Sequence, residues 1–315
     1  MPYNSDYLQK QADRYVEQLI NKTVNGQIVT AYKSSLAVIK KEMAVIAEKY
    51  EVNGVLTYAE MTKYNRLNST LNTVIEELKN LNRTVRKESI ALAGVAYEES
   101  FFRYGYAIAR GSNLNISFGL VNPYTIKAAI NLPFSGLTMT QLFERASQET
   151  IWKTQQAITQ GLIQGTSYGK IAREIKDVLG TSLKRAMLIA RTEASRAATQ
   201  GQLALYEEAE SDGIEMTRIW SAALDDRTRD AHGEMDGKHA DKDGLFHYEG
   251  SDPAFSGMTT EGPGLWGDAA MDINCRCRVY AEVAGYPTKY RRVNGTVQDY
   301  MDYPEWYEKY GKKEK

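Results

Sequence analysis

Residues 272–278 read Asp-Ile-Asn-Cys-Arg-Cys-Arg and contain both cysteines of the 315-residue chain, Cys275 and Cys277. The residue types that bind metals or act as nucleophiles are concentrated around this stretch, because all the histidines lie shortly before it. The three histidines are His232, His239 and His247.

The alternating pattern of residues 276–283 predicts a strand that holds the two cysteines at its start. Side chains two residues apart in a strand share one face, with Cα atoms about 6.6 Å apart. A disulfide usually needs a Cα separation of roughly 5.5–6 Å. We therefore expect two free thiols that face inward, with Arg276 and Arg278 facing outward.

Residues 224–232, Leu-Asp-Asp-Arg-Thr-Arg-Asp-Ala-His, predict a short helix over 226–232 that Asp225 caps. Arg229 and His232 would then lie on one side of the helix, and His232 would meet the cysteines. One interpretation is a zinc site. The other is a pair of small buried thiols beside a hydrogen-bonded core histidine, with no cofactor. The zinc ligands would be His232, Cys275, Cys277 and one of Asp226, His239, His247 or Asp272.

The first two thirds of the chain have helical periodicity. We predict helices over 3–20 and 30–50, separated by a turn at Asn25-Gly26 and packed antiparallel, and a long helical pattern that ends near Arg110. Capping-box spacings occur at Thr57–Glu60 and Thr138–Gln141. Further helices are predicted over 138–163, 167–179 and 181–210, with Gly180 and Gly213 as stops.

These patterns predict an α+β protein, with a largely α-helical N-terminal two thirds, a small α+β region and an extended tail. A strand is also predicted over 214–220. The predicted divisions are a helical region (1–110), a long loop or arm (111–137), a second helical part (138–213), the small Cys/His-containing part (214–285) and an aromatic, charged tail (286–315), in which 304–307 could dock as a helix.

Composition limits the function. The 39 basic and 40 acidic side chains give a formal charge of −1, which argues against a dedicated nucleic-acid coat. No apolar run approaches the roughly 18 residues of a membrane span, and the polar N-terminus is unlike a secretory signal. The chain has neither a Walker-type phosphate loop nor a Gly-x-Ser-x-Gly elbow, and we do not expect an enzyme.

Three stretches in order, RTEASRAATQGQ (191–202), IWSAALDDRTRDAHGEMDGK (219–238) and INCRCR (273–278), resemble the phage head morphogenesis family, the Mu F-like minor head proteins. The resemblance covers about residues 140–285. Its motif positions are Arg191, Glu193, Trp220, Asp226, Arg227, Arg229, His232, Asp236, Gly237, Asp272, Asn274, Cys275, Arg276 and Cys277.

The resemblance implies a structural protein of a tailed-phage virion that sits in the capsid interior near the portal and acts in head morphogenesis, DNA packaging or DNA delivery. Its implied partners are the portal protein and, as further candidates, the major capsid protein, a scaffolding protein and phage DNA, with Arg291 and Arg292 as DNA contacts. During assembly it would lie in the host cytoplasm. The alternatives are a zinc-dependent nucleic-acid-binding module, a nuclease or an effector enzyme; with only residues 286–315 after the resemblance, we expect no effector domain.

Some members of the family look as though they carry a fuller set of zinc ligands. They have cysteines at the positions of Arg229 and His232 and a histidine at the position of Asp272. Our hypothesis is that an Arg229–Asp272 ion pair replaces part of that site here. Such a pair would bridge the short helix to the cysteine strand and fix their geometry.

Overall fold

The computed structural model describes residues 5–111 and 121–285, together with the backbone of 290–293 and 296–299. It confirms an α+β fold in which long helices precede short strands. The helices are α1 (Ser5–Thr23), α2 (Val29–Tyr50), α3 (Tyr58–Thr62), α4 (Arg66–Gly111), α5 (Pro123–Asn131), α6 (Met139–Ile163), α7 (Tyr168–Ser211), α8 (Asp230–Glu234) and α9 (Ala269–Asp272). The strands are β1 (Met216–Ser221), β2 (Phe246–His247), β3 (Thr259–Thr260), β4 (Arg278–Val283), β5 (Tyr290–Val293) and β6 (Thr296–Asp299).

The chain forms two compact units, each built from separated segments. Unit 1 comprises Met1–Ile20, Leu92–Gly136 and Arg191–Lys315, and unit 2 comprises Asn21–Ala91 and Leu137–Ala190. Helices α4 and α7 therefore contribute residues to both units. The candidate site lies in unit 1.

The predicted helix caps are largely confirmed. Thr138 caps α6 with a full capping box, because its hydroxyl accepts from the Gln141 amide while the Gln141 side chain accepts from the Thr138 amide. At α3 the Thr57 hydroxyl accepts from the Glu60 amide at 3.3 Å, but the Glu60 carboxylate pairs with Lys63 instead of reaching back.

Two predicted helix breaks are wrong. Asn25 and Gly26 lie inside a π-helical turn, Val24–Ile28, so the chain does not reverse there and the predicted antiparallel pair does not form. Gly180 lies inside α7, which continues to Ser211. A glycine within a helix costs about 1 kcal/mol. At Gly26 the burial of Val24 and Ile28 outweighs that cost, and at Gly180 the burial of neighbouring α7 residues such as Leu179 does so.

The predicted loop over 111–137 also contains a helix. Asn122 caps α5 by accepting from the Tyr124 amide at 2.9 Å, and Pro123 occupies the first helical position, where its missing N–H is harmless. Residues 112–120 lie outside the described residues. The loop prediction was wrong for 123–131, because Asn122 and Pro123 are a helix cap and a first helical residue here.

Unit 2 is a helical core around a short polar chain. The Tyr32 hydroxyl lies 2.8 Å from the Ser182 hydroxyl, which in turn lies 2.7 Å from the Thr150 hydroxyl. These groups line a small cavity with about 20 Å³ of room for water, together with Phe143 and Leu81. The cavity is too small for a ligand larger than water.

Unit 1 contains the strands that were predicted over 214–220 and 276–283. β1 and β4 pair antiparallel, with Trp220 opposite Val279 and Arg218 opposite Ala281. A two-stranded sheet is marginal in water unless it packs against other elements. Here it shares a core cluster with α4 and α7 that includes Phe101, Tyr206 and the fully buried Trp220.

The outer edge of β4 is closed by a side chain of α1. The Gln9 amide nitrogen donates to the Ala281 carbonyl at 2.9 Å, and its amide oxygen accepts from the Ala281 N–H at 2.9 Å. The Tyr206 hydroxyl of α7 donates to the same Gln9 oxygen at 2.8 Å. One buried amide therefore joins three elements that are far apart in sequence.

A second α1 residue, Asp13, strengthens this junction. Its carboxylate accepts hydrogen bonds from the Tyr104 and Tyr280 hydroxyls and lies 3.1 Å from Nε of Arg278. Burial raises the pKa of both tyrosines, so they remain donors. Arg278 was expected to face outward and instead points into this buried network.

Within the described residues, no helix combines the length and the apolar composition that crossing a membrane requires. Beyond residue 285, β5 and β6 form an antiparallel hairpin. The prediction of a docked helix at 304–307 falls outside the described residues.

We expect Gln9→Leu to lower the free energy of unfolding by about 2–4 kcal/mol, because it keeps the side-chain volume but leaves the Ala281 N–H and C=O buried without partners. Gln18→Leu, at an exposed position of the same helix, is the matched control and should change it by less than about 0.5 kcal/mol. Urea unfolding measures both, and hydrogen exchange at the Ala281 amide should accelerate only in the first. Equal effects of the two variants would contradict the role of Gln9.

Candidate functional site

The three metal-binding candidates His232, Cys275 and Cys277 lie together in unit 1. His232 Nδ1 is 3.3 Å from Cys277 Sγ and 3.5 Å from Cys275 Sγ. One ligand atom from each of the three residues lies within 4.8 Å of the others. All three residues are buried: His232 is 3% exposed, Cys275 7% and Cys277 1%. The predicted meeting of histidine and cysteines is therefore present in the structure.

The cysteines precede β4 and are not part of it, which corrects the sequence prediction. The Cys275 N–H donates to the Asp272 carbonyl at 3.1 Å, and Asn274 has a φ of +56°. This tight turn after α9 follows from the ability of asparagine to adopt the left-handed region. Both thiols are free.

Hydrogen bonding makes the two thiols unequal. The Cys277 thiol holds the pKa of Cys275 well below its usual range by donating to that sulfur, and the same contact raises the pKa of Cys277. His232 also lowers the pKa of Cys275. The pair thus favours one thiolate, and a thiolate is the form of cysteine that binds metals or reacts.

His232 is positioned by a helix that begins four residues later than predicted. α8 starts at Asp230 with Arg229 at its N-cap. Asp225 does not cap it, because its carboxylate accepts from the Arg227 N–H at 3.0 Å and its carbonyl accepts from the Thr228 N–H at 3.0 Å. Those bonds close a separate turn before the helix.

Asp225 also forms the ion pair that links this turn to the cysteine segment. Both terminal nitrogens of Arg276 donate to its two carboxylate oxygens. The hydrogen bond from Arg276 holds the pKa of Asp225 well below its usual range. Arg276 is therefore half-buried and paired, although the sequence pattern placed it in solvent.

The hypothesised Arg229–Asp272 ion pair is wrong. Arg229 donates to the Ile273 carbonyl, and one of its nitrogens lies 3.5 Å from His232 Nε2. The Asp272 carboxylate accepts instead from the backbone N–H groups of Trp266, at 3.0 Å, and Gly267, at 2.8 Å. Burial raises the pKa of Asp272 to about 6 despite these bonds.

Asp236 and Gly237 fix the position of β1 relative to α8. Asp236 accepts from the Ala222 N–H at 2.9 Å, and Gly237, with a φ of +75°, donates its N–H to the Trp220 carbonyl at 2.9 Å. Trp220 packs against Phe246 at a centroid distance of 5.3 Å. These motif residues therefore shape the fold around the site.

The Arg191–Glu193 part of the motif lies on α7, where Glu193 is buried and pairs with Arg196 at 2.9 Å. Arg196 Nε donates to the Gly264 carbonyl at 3.0 Å, and the Thr192 hydroxyl accepts from the Asn274 N–H at 3.3 Å. Burial raises the pKa of Glu193. This part of α7 thus supports the loop that carries the cysteines.

Other candidates lie away from the cluster. His247 is exposed and lies 2.6 Å from Asp241, whereas His239 forms an isolated bridge with Ile219. Asp226 and Arg227 are both exposed. None of the candidate fourth ligands is part of the group that His232 forms with the cysteines. For Arg291 and Arg292 only the backbone, in β5, is described.

Several contacts that build the site gave no sequence signal. Arg276 and Asp225 lie 51 positions apart, and Thr192 and Asn274 lie 82 apart. No periodicity or motif spacing specifies such contacts. The residues that make these contacts lie in stretches that carry the family resemblance, and Asp225 was also predicted as a helix cap.

Comparison with known proteins gives two findings that agree. The family model "Phage Mu protein F like protein" matches residues 153–280. The chain is 31% identical to minor head protein GP7 of Bacillus phage SPP1 over 303 residues, which cover 95% of this chain and 96% of that protein.

Two further relatives are matched over only part of their length. The chain is 29% identical to NAD(+)–arginine ADP-ribosyltransferase EFV of Enterococcus faecalis over 90% of its own length and 56% of that protein. It is 30% identical to an uncharacterized protein of Haemophilus influenzae over 65% of this chain and 41% of that protein. No solved structure gives a significant match. Because the likeness to GP7 spans nearly the whole of both proteins and the Mu F-like family model matches residues 153–280, the chain belongs to the Mu F-like family.

Proposed function

We propose that this protein is a minor head protein of a tailed bacteriophage, a structural component of the virion. The observation that carries the proposal is the full-length likeness to minor head protein GP7, at 31% identity over 95% of this chain. The motif residues agree with a structural role, since Glu193, Asp236 and Arg276 each make contacts that hold elements together.

We further propose that the portal protein is the main partner. The protein would be assembled in the host cytoplasm and would then lie in the capsid interior near the portal. The protein would act there in head morphogenesis, DNA packaging or DNA delivery. The major capsid protein and a scaffolding protein are further candidate partners. Trp152 supports a protein partner, because it is 60% exposed on α6 whereas Trp220 and Trp266 are buried. Tryptophan is enriched among the interface residues that dominate binding energy.

Co-expressed with the portal protein of the same phage, the chain is expected to co-purify with it at a fixed ratio. Trp152→Ala should weaken this association by about tenfold or more, because truncation of a central interface tryptophan typically costs 2 kcal/mol or more. Gln156→Ala, one turn away and also exposed on α6, is the control and should bind normally. Size-exclusion chromatography with light scattering gives the ratio, and failure of the unmodified chain to bind portal would contradict this partner.

We also propose that the protein acts without catalysis. The name of the E. faecalis relative describes a transferase, but the match covers 56% of it, so the remaining 44% could supply that activity. The alternatives are an effector enzyme, a nuclease and a zinc-dependent nucleic-acid-binding module. His232 is the residue that each metal-dependent alternative would need.

Incubation of the purified chain with labelled NAD⁺ and an arginine substrate, and separately with plasmid DNA, is expected to give neither transfer nor cleavage. Transfer by the unmodified chain would establish an effector enzyme. Cleavage that is lost in His232→Ala but kept in His247→Ala would establish a metal-dependent nuclease.

Contact with phage DNA through Arg291 and Arg292 is a separate part of the proposal. If both residues neutralise phosphates, gel shifts should show binding that weakens with salt. The double substitution to alanine should then reduce the slope of log affinity against log salt by about 1.8, since each B-DNA phosphate contact contributes roughly 0.9. An unchanged slope would exclude these residues as contacts.

A further inference from the structure

The distances within the cluster of His232, Cys275 and Cys277 fit a metal ion. In a tetrahedral site with zinc–sulfur bonds of about 2.3 Å and zinc–nitrogen bonds of about 2.05 Å, the nitrogen and sulfur ligands lie about 3.6 Å apart. His232 Nδ1 lies 3.3 and 3.5 Å from the two sulfurs. The two nitrogen–sulfur distances are thus already close to those that an ion would impose, and all three donor atoms lie within 4.8 Å of one another.

The donors come from two separate segments that meet in the core. His232 lies on α8, and the cysteines lie 43 and 45 residues later, after α9. Thiolate and imidazole together suit zinc, whereas magnesium and calcium prefer oxygen ligands. Two cysteine thiolates would also neutralise the charge of the ion, so that its burial is not opposed by a net charge.

We propose that His232 Nδ1, Cys275 Sγ and Cys277 Sγ hold one zinc ion, with water as the fourth ligand. The ion ties α8 to the turn before β4 in a part of unit 1 with little regular structure. The elements between those two points are short, since α9 has four residues and β2 and β3 have two each. A buried ion at this position acts as a structural cross-link. The proposal is independent of any role at the portal.

The alternative is a metal-free cluster in which the imidazole N–H donates to a cysteine sulfur. The contact between Arg229 and His232 distinguishes the metal-bound state from the metal-free one. A zinc-bound Nδ1 leaves the proton on Nε2, and histidine ligands normally donate that proton to an acceptor. Here Nε2 lies 3.5 Å from an Arg229 nitrogen, which is itself a donor. Zinc binding therefore moves the exposed Arg229 side chain away from the ring.

The first test is elemental analysis of the unmodified full-length chain purified from cells grown with zinc, followed by cobalt(II) substitution. We expect about one zinc per chain and a thiolate-to-cobalt charge-transfer band, both lost in Cys275→Ser. His247→Ala is the matched control, because that histidine is exposed and outside the cluster, and it should retain both signals.

A chain that is folded by circular dichroism, contains no zinc and gives no charge-transfer band on titration with cobalt(II) would overturn the proposal. This measurement uses the unmodified protein, so it decides even if Cys275→Ser fails to fold. Because the readout is metal content and an absorption band, its failure is distinct from failure to bind portal.

The second test is Arg229→Gln. The glutamine amide oxygen can accept from Nε2–H, so the zinc affinity measured by competition with a chelator should rise about tenfold, at the lower end of the effect usual for partners of a ligating histidine. An unchanged or lower affinity would overturn ligation through Nδ1.

Discussion

The bidentate contact between the Gln9 side chain and the Ala281 backbone is the constraint on which unit 1 depends. β1 and β4 form only a two-stranded sheet, whose second edge would otherwise hold buried and unpaired polar groups. Gln9 supplies an amide that imitates a neighbouring strand, and the Tyr206 hydroxyl fixes the orientation of that amide. The position of β4 then determines where the preceding cysteine segment lies, because Cys277 is adjacent to the first strand residue, Arg278. A helix near the start of the chain thus helps to place the candidate site near its end.

The sequence predicted the elements whose signals are local. Thr138 and Gln141 specify a helix start by contacts within four residues, and Gly213 specifies an end by its φ of +86°. Prediction failed where burial opposed a local preference, as at Gly26 and Gly180, which lie within helical backbone although glycine favours turns. It also failed for the short elements around the site, where α8 begins at Asp230 because side-chain bonds of Asp225 close a turn first.

At the candidate site, the sequence likewise predicted which residues take part but not how they are held in place. The sequence identified His232 and the two cysteines as donors that could meet, because those residue types are few and concentrated. It did not identify how they are held, since the predicted Arg229–Asp272 pair does not form and the ion pair lies between Asp225 and Arg276. The pKa shifts of the two aspartates reflect this exchange. Pairing with Arg276 lowers the pKa of Asp225, so this carboxylate stabilises the fold above its unfolded pKa and the stabilisation is lost as the pH falls. Burial raises the pKa of Asp272, so its contribution to stability is lost as the pH rises through about 6.

The contacts that complete unit 1 reach beyond the residues that the family model matches. The family model spans residues 153–280, yet those residues alone lack the α1 side chains that close β4 and the α4 residues, such as Tyr104, that complete the core. A fragment with that boundary would end inside β4, one residue before Ala281, and would leave Tyr280 and Arg278 without Asp13. The matches to GP7 and to the E. faecalis protein instead cover 95% and 90% of this chain. The sequence likeness is therefore longer than the part that the family model matches, and in this chain β4, at the end of that part, packs against α1 near the start of the chain.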